Sequence, residues 1–166
     1  MNRDLSGLYR DVIVDHGSRP RNQRVILADA SSAHGDNPLC GDEITVYLHL
    51  DGDVIGDVSF ISNGCAISTA SASLMTEALI GTTRAEALVL FDDIHAMLTS
   101  SGPAGTDGRG GRTVVEEAVE RVGKLGVLAG VSEYPMRVKC ATLAWHTFRE
   151  ALDAPPQNVA QLEDAR

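Results

Sequence analysis

From Glu43 to Leu50 the chain alternates, with apolar Ile44, Val46, Leu48 and Leu50 separated by Thr45, Tyr47 and His49. Period-two alternation puts the four apolar side chains on one face of a strand, and that face must be covered by something else. Asp51-Gly52-Asp53 then forms a turn and Val54 to Ile61 runs back antiparallel. A first strand expected near Arg24 to Ala28 completes a three-stranded antiparallel sheet.

The cover comes from helices. Leu5, Leu8, Tyr9, Val12 and Ile13 fall at helical spacing, predicting an amphipathic helix over about residues 4–16, which Gly17 and Pro20 end. After Gly64-Cys65 the residues Ile67, Ala70, Ser71, Leu74, Met75, Ala78 and Leu79 predict a helix with small side chains on its packing face, stopped by Gly81. Thr83 followed by Glu86 is a capping box, opening a helix to about Leu98. A glycine-rich loop over 100–112 precedes another helix, about Thr113 to Leu128. Pro135 opens the last helix, whose face carries Val138, Ala141, Leu143, Ala144, Trp145, Phe148 and Leu152, until Pro155-Pro156 ends it. Strands first and helices later give an α+β fold, the sheet packed against about five helices. Residues 1–155 read as one domain and 156–166 as a polar tail that frays.

A formal charge of −9 argues against nucleic acid and anionic membranes as main partners. No apolar run approaches the roughly 18 residues of a membrane-spanning helix, and Met1-Asn2-Arg3-Asp4 starts no secretory signal, so a soluble cytoplasmic protein is expected. Its three cysteines, Cys40, Cys65 and Cys140, are too few and odd in number for a disulfide framework.

Context says more about these thiols than spacing, because no Cys-x-x-Cys occurs. Cys40 lies in Asn37-Pro38-Leu39-Cys40-Gly41-Asp42 just before a strand, and Gly41 lets Cys40 and Asp42 converge. Cys65 stands where a strand feeds a helix, and a helix N-terminus favours a thiolate. Cys140 follows Arg137 and Lys139, whose charges are expected to lower its pKa or to hold an anionic sulfur nearby. Three thiolates and one carboxylate make a closed tetrahedral set for Zn²⁺. Against this stands the plain alternative of cysteines as small core residues, with Asp42 capping a turn. From the residues alone the two readings are evenly matched.

The motifs Asn37-Pro38-Leu39-Cys40-Gly41-Asp42, Gly64-Cys65-Ala66-Ile67-Ser68 and Arg137-Val138-Lys139-Cys140-Ala141-Thr142-Leu143-Ala144-Trp145 strongly resemble the U-type iron–sulfur assembly proteins, with a match from about Leu5 to Leu152. Lys139 stands where the IscU-like scaffold branch has a histidine, and the segment between Cys65 and Cys140 carries a SufU-like insertion. The resemblance implies a SufE/IscU-like fold and zinc bound by Cys40, Asp42, Cys65 and Cys140. It also implies a sulfur acceptor, sulfurtransferase-like in its chemistry, that takes persulfide sulfur from a SufS-like cysteine desulfurase and passes it to the downstream iron–sulfur assembly complex. Cys40 is expected to be the accepting thiol because its loop can swing while the other two are anchored on helices; a histidine of the desulfurase would replace it on the zinc. The alternatives are a scaffold holding an iron–sulfur cluster or iron at the same site, and a structural zinc module that recruits partners.

The five histidines read as structural: His16 capping a helix end, His34 solvated in a loop, His49 on a polar strand face, and His95 and His146 on helices without the i, i+4 spacing of a helical metal site. No nucleophile elbow or phosphate-binding loop is present.

Overall fold

The computed structural model describes residues 2–26, 28–99, 125–128, 131 and 134–156, with side chains from residue 10 onward. Its elements are α1 (Asn2–Ser18), β1 (Ser31–Asn37), β2 (Asp42–Asp51), β3 (Val54–Asn63), α2 (Ala66–Leu79), α3 (Arg84–Thr99) and α4 (Pro135–Asp153). The strands form an antiparallel sheet in the order β1-β2-β3. The alternation in β2 works as read: Ile44, Val46 and Leu48 are buried on one face with Val58 and Phe60 of β3 beside them. α2 and α4 cover this face. Trp145 donates from Nε1 to Ser71 Oγ at 3.2 Å, and Ser71 Oγ donates to the Ala141 carbonyl at 2.6 Å, so the two helices are tied together at their buried seam.

The first strand differs from expectation. Of that segment, the described residues 24–26 and 28 do not join the sheet; Gln23 makes a single bridge to Phe60, and positive φ angles at Asn22 (61°) and Asp29 (53°) turn the chain on either side. The strand that pairs with β2 is Ser31–Asn37, in register from Ser31 opposite Leu48 to Asn37 opposite Asp42. Its polar sequence hides it, but tertiary packing selects it. A methyl group on Gly35 would collide with Thr147 Oγ1 and lie 3.2 Å from Leu143, so α4 can rest on β1 only where the strand has no side chain.

Four α-helices lie among the described residues, against about five expected. Of the expected helix over 113–128, residues 113–124 lie outside the described residues, and 125–128 form a 3₁₀ turn with Leu125, Val127 and Leu128 buried. The glycine-rich loop at 100–112 and the tail from Gln157 also lie outside them. The capping box is present: Glu86 N donates to Thr83 Oγ1 at 3.1 Å and Thr83 N to Glu86 Oε2 at 2.9 Å. His16 does not cap carbonyls. It is buried, with Nδ1 2.7 Å from Ser73 Oγ and Nε2 3.5 Å from Glu77, linking α1 to α2. Among the described residues no helix is long and apolar enough to cross a membrane.

Candidate metal centre

At one end of the sheet, three segments far apart in sequence meet. The β1–β2 turn is closed by the Asn37 carbonyl, which accepts from Cys40 N at 3.2 Å and Gly41 N at 2.8 Å. Gly41 has φ +71°, the left-handed conformation that costs glycine nothing, and it brings the chain round so that Cys40 and Asp42 share one side of the turn. Cys65 is the N-cap of α2, its sulfur accepting from Ser68 N at 3.4 Å. Cys140 lies in the second turn of α4, buried against the sheet.

Cys40 Sγ and Cys140 Sγ are 3.6 Å apart, and the ligand atoms of Cys40, Asp42 and Cys140 all lie within 4.8 Å of one another. Cys65 stands beside this set rather than in it, with its sulfur 3.8 Å from Asp42 Oδ2. Two sulfurs on a tetrahedral zinc with bonds of about 2.3 Å are roughly 3.8 Å apart, so the Cys40–Cys140 separation already matches that edge. Asp42 Oδ1 accepts from Cys65 N at 2.9 Å, which orients the carboxylate and leaves Oδ2 toward the thiols. Gly64 makes this possible, since a Cβ there would lie 2.6 Å from Asp42 Oδ1.

Asp42 is only 2% exposed, and among the described residues no lysine, arginine or histidine forms an ion pair with it. A buried carboxylate is costly unless a cation or several donors compensate it. Here it has one backbone N–H and a circle of thiols, a donor set that suits a thiophilic divalent ion. Burial pushes the Cys140 thiol far above the ordinary range, and its contacts with Asp42 and Cys40 and the nearby Cys65 act the same way. This reverses the lowering expected from Arg137 and Lys139: both point to solvent, and desolvation of the sulfur outweighs them. A cation bound there would have to displace the proton that this environment favours on the Cys140 sulfur.

Cys40 is the exposed thiol of the three. It opens into a cleft of about 190 Å³ lined with Leu39, Pro135, Met136 and Lys139. Of its lining, Leu39 (69% exposed) and Met136 (65%) present apolar surface to solvent, and Tyr134 (61%), next to Pro135 in the chain, is exposed as well. Of the histidines, His34 lies on β1 with Nδ1 3.0 Å from Thr45 Oγ1, not in a loop, and His49 Nδ1 is 2.9 Å from the Asp29 carbonyl. Neither belongs to the ligand group. Two contributors escaped sequence reasoning. Gly64 was visible only as a neighbour of Cys65, and Asn37 only as part of a motif.

Residues 8–141 match the family described as the NifU-like N-terminal domain. The chain is 38% identical over 148 residues to the iron–sulfur cluster assembly scaffold protein IscU of Streptococcus pyogenes, covering 89% of this chain and 84% of that one. It is also 38% identical over 151 residues to the zinc-dependent sulfurtransferase SufU of Bacillus subtilis, covering 91% and 93%. Among solved structures, a putative iron–sulfur cluster assembly scaffold protein for the SUF system from Fervidobacterium islandicum superposes with a TM-score of 0.69 at 34% identity, over 86% of this chain and 95% of that one. With sequence and fold agreeing from α1 through the cysteine of α4, the chain belongs to the NifU-like N-terminal domain family, alongside the proteins named IscU and SufU.

Proposed function

We propose that this protein serves iron–sulfur cluster assembly as a zinc-dependent sulfur acceptor, with Cys40, Asp42, Cys65 and Cys140 as the metal ligands and Cys40 as the thiol that receives sulfur. The observation that carries the reading is the buried carboxylate of Asp42, which among the described residues has no ion-pair partner and lies beside the thiols, two of them already at metal-edge separation. Likeness to a zinc-dependent sulfurtransferase over nine-tenths of the chain supports it. Zinc, when bound, would hold the thiols as thiolates at neutral pH and restrain them until a partner engages.

The residues divide the work by position. Cys65 is fixed by the helix cap and Cys140 by the core, so Cys40 in its exposed turn is the group that can leave the shell and meet a partner. In the transfer, the Cys40 thiolate attacks the terminal sulfur of a cysteine desulfurase persulfide. The partner's S–S bond breaks, its electron pair returns to the partner's cysteine as thiolate, and a persulfide forms on Cys40. Leu39, Tyr134 and Met136 give that partner an apolar surface to cover, which excludes water from the exchange. Downstream assembly proteins would take the sulfur from the same exposed position.

Metal analysis of the purified chain and of Asp42→Ala, with desulfurase turnover measured alongside, tests the assignment. A colourless wild type with stoichiometric zinc that stimulates the desulfurase is expected, together with loss of both metal and stimulation in Asp42→Ala. Retention of zinc by the variant would remove Asp42 from the set. A brown, visibly absorbing protein would make the scaffold reading the correct one. Mass spectrometry after reaction should find the added sulfur on Cys40, and persulfide accumulating on Cys40→Ala would refute its role.

A further inference from the structure

Asn37 closes β1 directly opposite Asp42 and is 7% exposed. Its side-chain Oδ1 accepts from Leu39 N at 3.2 Å, which fixes the amide orientation: the oxygen serves the turn, and the nitrogen is the other end. Among the described residues that buried nitrogen has no hydrogen-bond partner. A buried donor left unsatisfied costs about 1–3 kcal/mol. The turn does not require it, because serine or aspartate at this position would accept the Leu39 N–H equally well.

The location of the orphan explains it. Asn37 is the register partner of Asp42, so the two buried side chains share one face of the sheet, and the Asp42 carboxylate lies within 4.8 Å of the sulfurs of Cys40 and Cys140. The following turn carries Cys40, whose sulfur is 3.6 Å from that of Cys140. A second orphaned buried polar atom, Ser68 Oγ, sits on the residue whose N–H already contacts Cys65 Sγ. Two buried polar atoms without partners thus belong to residues that adjoin the thiol-bearing segments, one opposite Asp42 and one three residues after Cys65. Three thiolates and a carboxylate around a divalent ion carry an excess of negative charge, and N–H groups aimed at sulfur offset it.

We propose that Asn37 is a positioning residue whose Nδ2 donates to the Cys40–Cys140 sulfur pair when those sulfurs carry charge, completing its hydrogen bonding only in the metal-loaded protein. This rests on the zinc reading above. The amide holds the anionic sulfurs in the shell and makes release of Cys40 a controlled step. Asn37 touches neither metal nor incoming sulfur in this role.

Asn37→Ser and Asn37→Asp test it, since both keep an acceptor for Leu39 N–H and lose the donor. Zinc affinity is measured by competition with a chromophoric chelator, thermal unfolding is followed in the metal-free chains, and the thiolate-to-metal charge-transfer band is recorded after cobalt(II) loading. The expected result is metal-free stability no lower than wild type in Asn37→Ser, zinc affinity about 10–100-fold weaker in both variants, and a red-shifted cobalt band. Wild-type affinity and an unmoved band in Asn37→Ser would overturn the proposal, as would weakening confined to Asn37→Asp, which the added charge alone explains. If Asn37→Ser does not fold, a folded Asn37→Thr takes its place with the same two outcomes. A wild type that binds no zinc would refute the functional reading itself, a failure distinct from normal zinc binding by the variants.

Discussion

At the scale of single residues, the site is made by small groups as much as by ligands. Gly64 shows this most directly. Its backbone φ lies outside the left-handed region, so alanine is acceptable conformationally, but the added carbon would meet the Asp42 carboxylate. Gly64→Ala should therefore destabilise the fold by about 1–3 kcal/mol, the usual range for overpacking, and lower metal content; chemical denaturation and metal analysis check the two effects. The proposed ligands are easier to see in the sequence than the groups that pack around them. Cys40-Gly41-Asp42 and Gly64-Cys65 announce themselves by residue type, whereas the close approach of Asp42 to Gly64 and the stranded amide of Asn37 arise from tertiary neighbours that no local pattern encodes. The expected lowering of the Cys140 pKa failed for the same reason: charges one and three positions away in sequence were visible, and the burial of the sulfur was not.

Elements whose amphipathic pattern is strong were legible, and the one specified from outside was not. β2 and β3 follow from their alternation, and α3 from its capping box. β1 has a polar sequence with a glycine at its centre, and it is a strand because β2 offers an edge and α4 presses on it. The Gly35–Thr147 contact is thus a joint between the two elements. Gly35→Ala should destabilise by roughly 1–3 kcal/mol through the collision with Thr147 Oγ1. Thr147→Ala, which removes that oxygen, should recover part of the loss, so that the double variant is more stable than the two single effects summed. Equilibrium denaturation of the four proteins in this cycle measures the coupling. Because α4 also carries Cys140, Gly35→Ala should shift the sulfur and weaken metal retention even though it touches no ligand.

For the molecule as a whole, stability should depend on metal and on pH. The proposed ligands come from the β1–β2 turn, the start of α2 and α4, so an ion held by them would tie the sheet to both covering helices and stabilise the native chain alone. At a free metal concentration a thousandfold above the dissociation constant this linkage is about 4 kcal/mol, and chelation should lower the melting temperature accordingly. A melting temperature indifferent to chelator would show that the site does not bind a stabilising ion. In the metal-free chain a second effect arises where α3 meets α4. His146 packs edge-on to Phe91 and to His95, with the Arg149 guanidinium 5.1 Å from the Phe91 ring centre. Burial lowers the His146 pKa below its ordinary 6.5, and the nearby His95 and Arg149 lower it further, against the opposing pull of Glu150. The folded state therefore favours neutral His146, and its contribution is complete above pH 6.5 and is lost as pH falls below that value. Unfolding measured from pH 7 to 5 should show a decline that is shallower in His146→Gln.

The order in which the ligands occur along the polypeptide has a consequence for biosynthesis. Cys140 follows Cys65 by 75 residues, so at chain-elongation rates of about 5–20 residues per second the last sulfur reaches the growing chain roughly 4–15 s after the second. Until then the nascent chain can present only an incomplete coordination sphere, vulnerable to the wrong ion or to oxidation. Completion of the proposed four-ligand set must therefore wait at least for the synthesis of Cys140.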